Sequence, residues 1–459
     1  MTTKTVGLGL KDRWRQLHIV SPLGSNILLT TGANVILAGL GLITGPLAAR
    51  LLGPAGRGEL AAIQNLFWLG ALLAMLGLPE SALYFTAREP QRAGSVLATG
   101  ILLPILVTPI VFVGMYPLTP LLLAAQPPQV VTAARWLTLG IPLYVLMAVP
   151  TFTLRGTNDL FSWNFLRLLP GVGWVVFLIG AWVAAKRSAV FLAGGYLLVL
   201  ACLIVPVAIL VSKLVPGPYV PSRNLLKPML EYGLPQAGAA IPQTFNLRLD
   251  QLLIAALLPP YFLGLYVVAV AWSSAALPVL HAIGNVLFPK IADGTASAAE
   301  RAGTLAQGLR LGTLTGVLLA SFLVVLTPAA IPLLFGRDFT PAVQVGCVLV
   351  AATVISGMNV ILEESLRGLG DTAGVFWGEM IGLSVTAVSL WLMLRPLGIM
   401  GAGLASVLGY SATCGFLAPR IRRNTGLAMT AFLLPRRTDL TLMVERMRVW
   451  RLAFRGVAG

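Results

Sequence analysis

Charge is scarce in this sequence. Asp and Glu number 16 and Lys and Arg 32, and together they make up 10% of the 459 residues. A soluble domain is about a quarter charged, so this chain lacks the groups to cover a water-facing surface. Histidine occurs twice, at His18 and His281, which excludes a histidine-rich metal site. The three cysteines, Cys202, Cys347 and Cys414, sit in apolar stretches without metal-ligand spacing and imply no disulfide framework. The phosphate-binding GxxxxGK[ST], HExxH and GxSxG patterns are missing. No loop on the predicted outer side is long enough to form a catalytic domain. The reading is a chain that is not an enzyme, with no catalytic residue, no metal and no cofactor.

What is abundant is apolar surface, at 57% of the chain. A helix crossing a bilayer needs about 20 mostly apolar residues. Twelve such stretches are predicted, at 26–49, 60–86, 93–116, 128–153, 165–185, 189–212, 230–257, 261–288, 306–328, 343–366, 372–394 and 398–419. The apolar run after Lys4, Lys11, Arg13 and Arg15 is too long for a signal-peptide core and reads as a retained first span. Prolines such as Pro104, Pro142, Pro235 and Pro242 lie inside spans. Each frees backbone groups that must face protein or a watery cavity, which suits a transporter.

The net charge of +16 follows topology rather than nucleic-acid binding. With both termini in the cytoplasm, 24 Lys and Arg fall on inside segments and 6 on outside loops, the asymmetry that fixes orientation. The tail from residue 420 is basic. Leu440, Met443, Met447, Trp450 and Phe454 share one helical face there, a pattern for a helix lying on anionic lipid.

Two short matches recur in the same order. LLGPAGRG (51–58) follows the first span and LLPPYFLG (257–264) the seventh, at an offset of 206 residues. LRGTND (154–159) follows the fourth span and LRGLGD (366–371) the tenth, at an offset of 212. Their equivalent positions predict an internal repeat. The predicted fold is all-α integral membrane: about twelve transmembrane helices, as two parallel six-helix halves with a central cavity. The divisions are a cytoplasmic N-terminus at 1–25, halves at 26–220 and 221–419, and a basic cytoplasmic tail at 420–459.

A polar group inside a span is costly to bury and so is a candidate for function. The seventh span carries Gln236, Gln243, Asn246 and Asp250 on one face. This stripe is either a hydrophilic cavity wall or a group near the outer end that pairs structurally. Arg248, two residues from Asp250, points elsewhere, toward Thr244 and Gln251. The first span carries Asn26, Thr30 and Asn34, which either line a cavity or bond a neighbouring helix. Ser274, His281 and Asn285 share a face of the eighth span, where the histidine reads as a packed group. Glu363 and Glu364 both reach Arg367 along the tenth span, and Glu379 and Glu80 are isolated acids. Arg135 enters the fourth span from outside, where it either snorkels or meets a phosphate.

ARLLGPAGRGELA (49–61), YGLPQ (232–236), LDQLLIAALLPPYFLGLYVVA (249–269), FPKIA (288–292), LLFGRDFTPAV (333–343), LRGLGD and PLGIMGAGLASVLGY (396–410) resemble, in order, the polysaccharide-biosynthesis and oligosaccharide flippases of the multidrug/oligosaccharidyl-lipid/polysaccharide (MOP) exporter superfamily. The resemblance implies a bacterial inner-membrane protein that moves a lipid-linked oligosaccharide to the outer leaflet by alternating access. Its partners would be membrane lipid and a polysaccharide polymerase or glycosyltransferases, with no nucleic acid. On that reading Arg248 and Arg135 would meet phosphate, and Gln243, Asn246, Asp250, Asn34 and Asn26 would line the substrate cavity. Asp250, Glu363 and Glu379 are the ion-coupling candidates. The rival is a cation-coupled multidrug antiporter of the same superfamily, which needs an acid in the cavity. A major-facilitator carrier lacks its basic loop here, since TAREPQRAG (86–94) follows the second span.

Overall fold

The structure is a computed structural model and describes residues 22–292 and 297–433. The predicted surface helix of the tail, the first residues of the chain and the side chains of Asn26 and Gln243 lie outside what is described. The described residues are almost entirely helical and contain no strand. Fifteen α-helices follow in order: α1 (Pro22–Met75), α2 (Leu78–Arg88), α3 (Ala93–Leu122), α4 (Pro128–Leu137), α5 (Ile141–Gly156), α6 (Leu160–Val183), α7 (Ala189–Leu214), α8 (Arg223–Asn246), α9 (Leu249–Leu257), α10 (Pro260–Ser273), α11 (Leu277–Ala292), α12 (Ala298–Phe335), α13 (Ala342–Gly368), α14 (Thr372–Thr425) and α15 (Met429–Leu433).

Among the described residues, nine helical stretches are long and apolar enough to cross a membrane. Two of them are double. Helix α1 turns at Gly53 (φ 68°, ψ 178°) and α14 at Gly398 (φ 56°, ψ −139°). The positive φ at each bend is open to glycine at little cost. The connections expected at 50–59 and 395–397 are thus kinks in continuous helical structure. The seventh pass is less apolar and is divided, with α8 ending at Asn246 and α9 starting at Leu249. Read this way, α1 to the kink is pass one and the rest of α1 with α2 is pass two. Helices α3, α4 with α5, α6 and α7 make passes three to six. Passes seven to twelve are α8 with α9, α10 with α11, α12, α13, and the two arms of α14.

The repeat matches sit in equivalent structural places. Asp159 caps α6, its carboxylate accepting from the Ser162 N–H at 3.3 Å, and Asp371 caps α14 by accepting from the Gly374 N–H at 2.9 Å. Before each cap the chain takes a left-handed residue, Asn158 (φ 61°) and Gly370 (φ 84°), the two residue types that tolerate it best. Gly156 lies against pass two, where a Cβ would meet the Leu83 carbonyl at 2.8 Å. Gly368 lies against pass eight, 3.2 Å from the Phe288 carbonyl by the same measure.

The first match forms the contact between the halves on the face predicted to lie outside. A Cβ on Gly58 would sit 1.8 Å from the Pro260 carbonyl, and one on Gly264 would sit 1.9 Å from that of Pro54. Two side chains of the N-terminal half fasten the same face. Arg50 donates to the carbonyls of Leu333 and Leu334 at the end of α12, the latter at 2.8 Å. Gln126 Nε2 donates to the Ala255 carbonyl at 2.9 Å and that of Leu258 at 3.3 Å, at the end of α9. Both satisfy carbonyls that a helix terminus leaves without an internal partner. At the opposite face Gly77 and Gly233 touch backbone to backbone, Ser81 Oγ donates to the Met229 carbonyl at 2.6 Å, and Tyr84 stacks on Tyr232 at 4.3 Å.

Candidate functional site

The break in pass seven sets the geometry of the polar site. Pro242 lies one turn before it and cannot donate to the helical ladder. After Asn246 the chain leaves helical geometry, with Arg248 at φ −133° and ψ −11°. Divided helices of this kind expose backbone and side-chain polarity at membrane depth only where protein or a cavity receives it.

Arg248 turns toward the N-terminal half. Its Nη1 donates to Asn65 Oδ1 at 3.0 Å, and Asn65 Nδ2 donates to Gln251 Oε1 at 3.1 Å. Asn65 lies in the second arm of α1, so a single asparagine links pass two to the break and to the first turn of α9. Asn65 and Gln251 are buried, whereas Arg248 remains exposed. Asp250 turns the other way. It accepts from the Tyr266 hydroxyl at 2.5 Å and from the Gln251 N–H at 2.7 Å, and both Asp250 and Tyr266 are buried. The two charges therefore have separate partners, as their spacing predicts. Arg57, beside the Gly58 crossing, supplies a further cation whose Nε and Nη1 are buried without a hydrogen-bond partner.

A second polar cluster lies inside the C-terminal half. Asn246 Nδ2 donates to Glu379 Oε2 at 3.3 Å, and its Oδ1 accepts from Thr386 Oγ1 at 3.1 Å. Glu363 is 1% exposed. One of its oxygens accepts from Arg367 at 3.3 Å and the other has no donor, and Glu379 is a neighbour of this carboxyl. Glu364 also pairs with Arg367, as the spacing along the tenth pass predicts. Asn359, one turn before Glu363, donates to the Tyr410 carbonyl at 2.9 Å.

Other sequence candidates lie apart from these clusters. Thr30 and Asn34 face pass five: Asn164 Nδ2 donates to Thr30 Oγ1 at 3.2 Å and Arg167 donates to Asn34 Oδ1 at 2.9 Å. This is the helix-bonding alternative for that stripe. Arg135 donates to the Tyr116 carbonyl at 3.1 Å and lies over the Tyr116 ring at 4.2 Å. These contacts tie it to α3 within the N-terminal half. His281 and Asn285 are exposed on α11. Sequence reasoning missed Asn65, Tyr266 and the approach of Glu379 to Glu363. Each involves groups on different helices, and periodicity along one helix carries no signal for them.

The family model described as "Polysaccharide biosynthesis protein" matches residues 23–295, more than half of the chain. The chain belongs to the polysaccharide biosynthesis protein family. The probable low-salt glycan biosynthesis flippase Agl15 of Haloferax volcanii is 20% identical over 386 residues, covering 83% of this chain and 79% of its own length. The fold is that of MOP-superfamily transporters. The lipid II flippase MurJ in an inward closed conformation superimposes with a TM-score of 0.70 at 14% identity, over 89% of each chain. An inward-facing multidrug-resistance MATE transporter of the MOP superfamily gives 0.69 at 17% identity, over 85% of this chain and 96% of its own. This polysaccharide biosynthesis protein is thus a multi-pass membrane protein with a transporter fold.

Proposed function

We propose that the protein is a flippase for a lipid-linked, polyprenyl-pyrophosphate oligosaccharide, carrying its head group between the two halves by alternating access. The observation that carries this reading is the sign of the exposed charge at the break in pass seven. Arg248 is exposed and bonded to the opposite half, while Asp250 is buried and satisfied by Tyr266. The Arg248 guanidinium has donors beyond the one given to Asn65; it attracts a pyrophosphate, which it can bind through paired donors, and repels a cationic drug. Asn65, held in turn by Gln251, fixes the Arg248 side chain at the contact between the halves. The polyprenyl tail stays in lipid. The match to the polysaccharide biosynthesis family and the likeness to a probable glycan flippase support the same reading.

The driving cation in this scheme binds at Glu363 and Glu379. Two neighbouring carboxyls do not both ionise unless they share a proton or a cation, and Asn246 and Thr386 complete a polar lining around Glu379. The protein would reside in the cytoplasmic membrane with both termini inside, working beside glycosyltransferases and a polymerase, with no catalysis of its own. The drug-antiporter reading has one point in its favour, this same pair of acids.

The test is surface glycan export in cells. Arg248→Ala is expected to reduce export by about tenfold or more at normal membrane abundance, with Arg248→Lys retaining part of it. Export at the wild-type level by Arg248→Ala would remove Arg248 from the site and with it the main support for an anionic substrate.

A further inference from the structure

A groove separate from the inter-half site lies on the flank of the N-terminal half, on the face predicted to lie outside. It encloses about 880 Å³, within the range of small-molecule sites. Its walls come from the second arm of α1, from α4 and from the start of α7. Glu59 and Arg187 both line it. They form no ion pair with each other or with any other described residue, and no hydrogen bond from either side chain is recorded among the described residues. Two opposite charges in one groove that do not neutralise each other leave one acceptor and one donor set free. A single anion or cation would satisfy only half of this arrangement, and a neutral sugar would satisfy neither charge. A ligand with separated charges of both signs satisfies both.

The rest of the lining points to the source of such a ligand. Leu137, Val190 and Leu197 present apolar surface beside the charges. Trp136, on the α4 wall, is 57% exposed and Val190, on the α7 wall, is 38% exposed. Trp136 stands about two turns into pass four, so its exposed ring lies below the head groups, at the level of the upper acyl chains. The groove also sits where α4 and α7 begin and α1 has just turned at Gly53, which is the level of the bilayer interface.

We propose that this groove holds the head group of a zwitterionic aminophospholipid of the phosphatidylethanolamine class. Arg187 takes the phosphate, Glu59 accepts N–H bonds from the primary ammonium, and Leu137, Val190 and Leu197 lie along the glycerol and upper acyl chains. The site would bind lipid whatever substrate crosses between the halves. A lipid wedged between α1 and α4 beside the Gly53 bend would brace the arm of α1 that carries Arg57, Gly58 and Asn65.

The experiment is native mass spectrometry of delipidated full-length protein with phosphatidylethanolamine and its mono-, di- and trimethylated ammonium analogues on identical acyl chains. Each methyl group removes one N–H that Glu59 could accept, so retention is expected to fall stepwise, about tenfold over the series. Glu59→Ala, which removes both acceptor oxygens, should flatten the series. Arg187→Gln should lower retention of every member alike, because all share the phosphate. Glu231→Gln, on another face, should leave the series unchanged. A flat series with the wild-type protein would overturn the proposal. So would a slope that survives in folded Glu59→Ala, or retention of diacylglycerol equal to that of phosphatidylethanolamine. If a variant does not fold, as judged by circular dichroism, the wild-type series alone decides.

Discussion

Gly58 and Gly264 make the same contact from opposite halves of the molecule. Each lies under the carbonyl of the other half's proline, Gly58 under Pro260 and Gly264 under Pro54. The residues are related in pairs by the 206-residue offset of the sequence repeat, so the contact is reciprocal, as it is across a two-fold interface. A methyl group at either position would lie less than 2 Å from a backbone oxygen, and backbone moves aside less readily than a flexible side chain. Gly58→Ala and Gly264→Ala should each lower stability by about 1–3 kcal/mol or more. Thermal melts in detergent check this. Gly39→Ala and Gly415→Ala, where a Cβ meets nothing within 4 Å, should melt with the wild type.

The repeat was legible because its signals are local. Asp159 and Asp371 cap helices, Asn158 and Gly370 take the left-handed turn, and each role needs a particular residue type at one position. The number of passes was legible for a similar reason, since a lipid-facing stretch must be apolar over its whole length. The break after Asn246 was not. Pro242 signals a disturbed helix, but Pro104 and Pro109 lie inside an uninterrupted α3, so proline does not say which helix divides. Nor was the partner of Arg248 legible, because Asn65 stands in a segment, AAIQNLFWL, with nothing to mark it as facing the other half. The first-pass stripe was recognised as polar, but its choice between a cavity and pass five depended on Asn164 and Arg167, which lie more than 130 residues away.

Arg50 and Gln126 tie the N-terminal half to the ends of α12 and α9 on one face only. A hydrogen bond from a charged donor contributes about 1.5–3 kcal/mol and a neutral one about 0.5–1.5. Replacing both with alanine should favour separation of the halves on that face. Spin labels at Ala55→Cys and Thr340→Cys, in a background without the three native cysteines, should move to longer and broader distances. An unchanged distribution would mean that the glycine crossing alone sets the closure.

Asp371 accepts two bonds from Arg420, at 2.7 and 3.0 Å, besides capping α14. The Arg420 guanidinium holds its carboxyl below the usual carboxylate range. A group depressed in the folded state adds stability above its unfolded pKa and loses it as pH falls through the folded value. Asp371→Asn keeps a capping oxygen but loses the charge. It should melt below the wild type at neutral pH, with the gap closing as pH falls below the ordinary carboxylate range. A gap that persists there would assign the effect to packing.

Glu363→Gln and Glu379→Gln should uncouple transport from the cation gradient. In proteoliposomes each variant is expected to keep substrate binding but to lose stimulation by an imposed proton or sodium gradient. Stimulation equal to that of the wild type in both would move coupling elsewhere, with Asp250→Asn the next variant to assay.

The central claim is that the protein moves an anionic lipid-linked glycan past Arg248. The most direct measurement is flipping of a polyprenyl-pyrophosphate oligosaccharide in proteoliposomes, read by protection of its glycan from an external glycosidase. Wild-type protein should translocate it, and Arg248→Ala should slow translocation by about tenfold or more, the scale of one lost charge-assisted contact. A cationic dye should not be exchanged. No movement of the glycan lipid by the wild type, together with cation-gradient-driven exchange of the dye, would contradict the account and favour the antiporter.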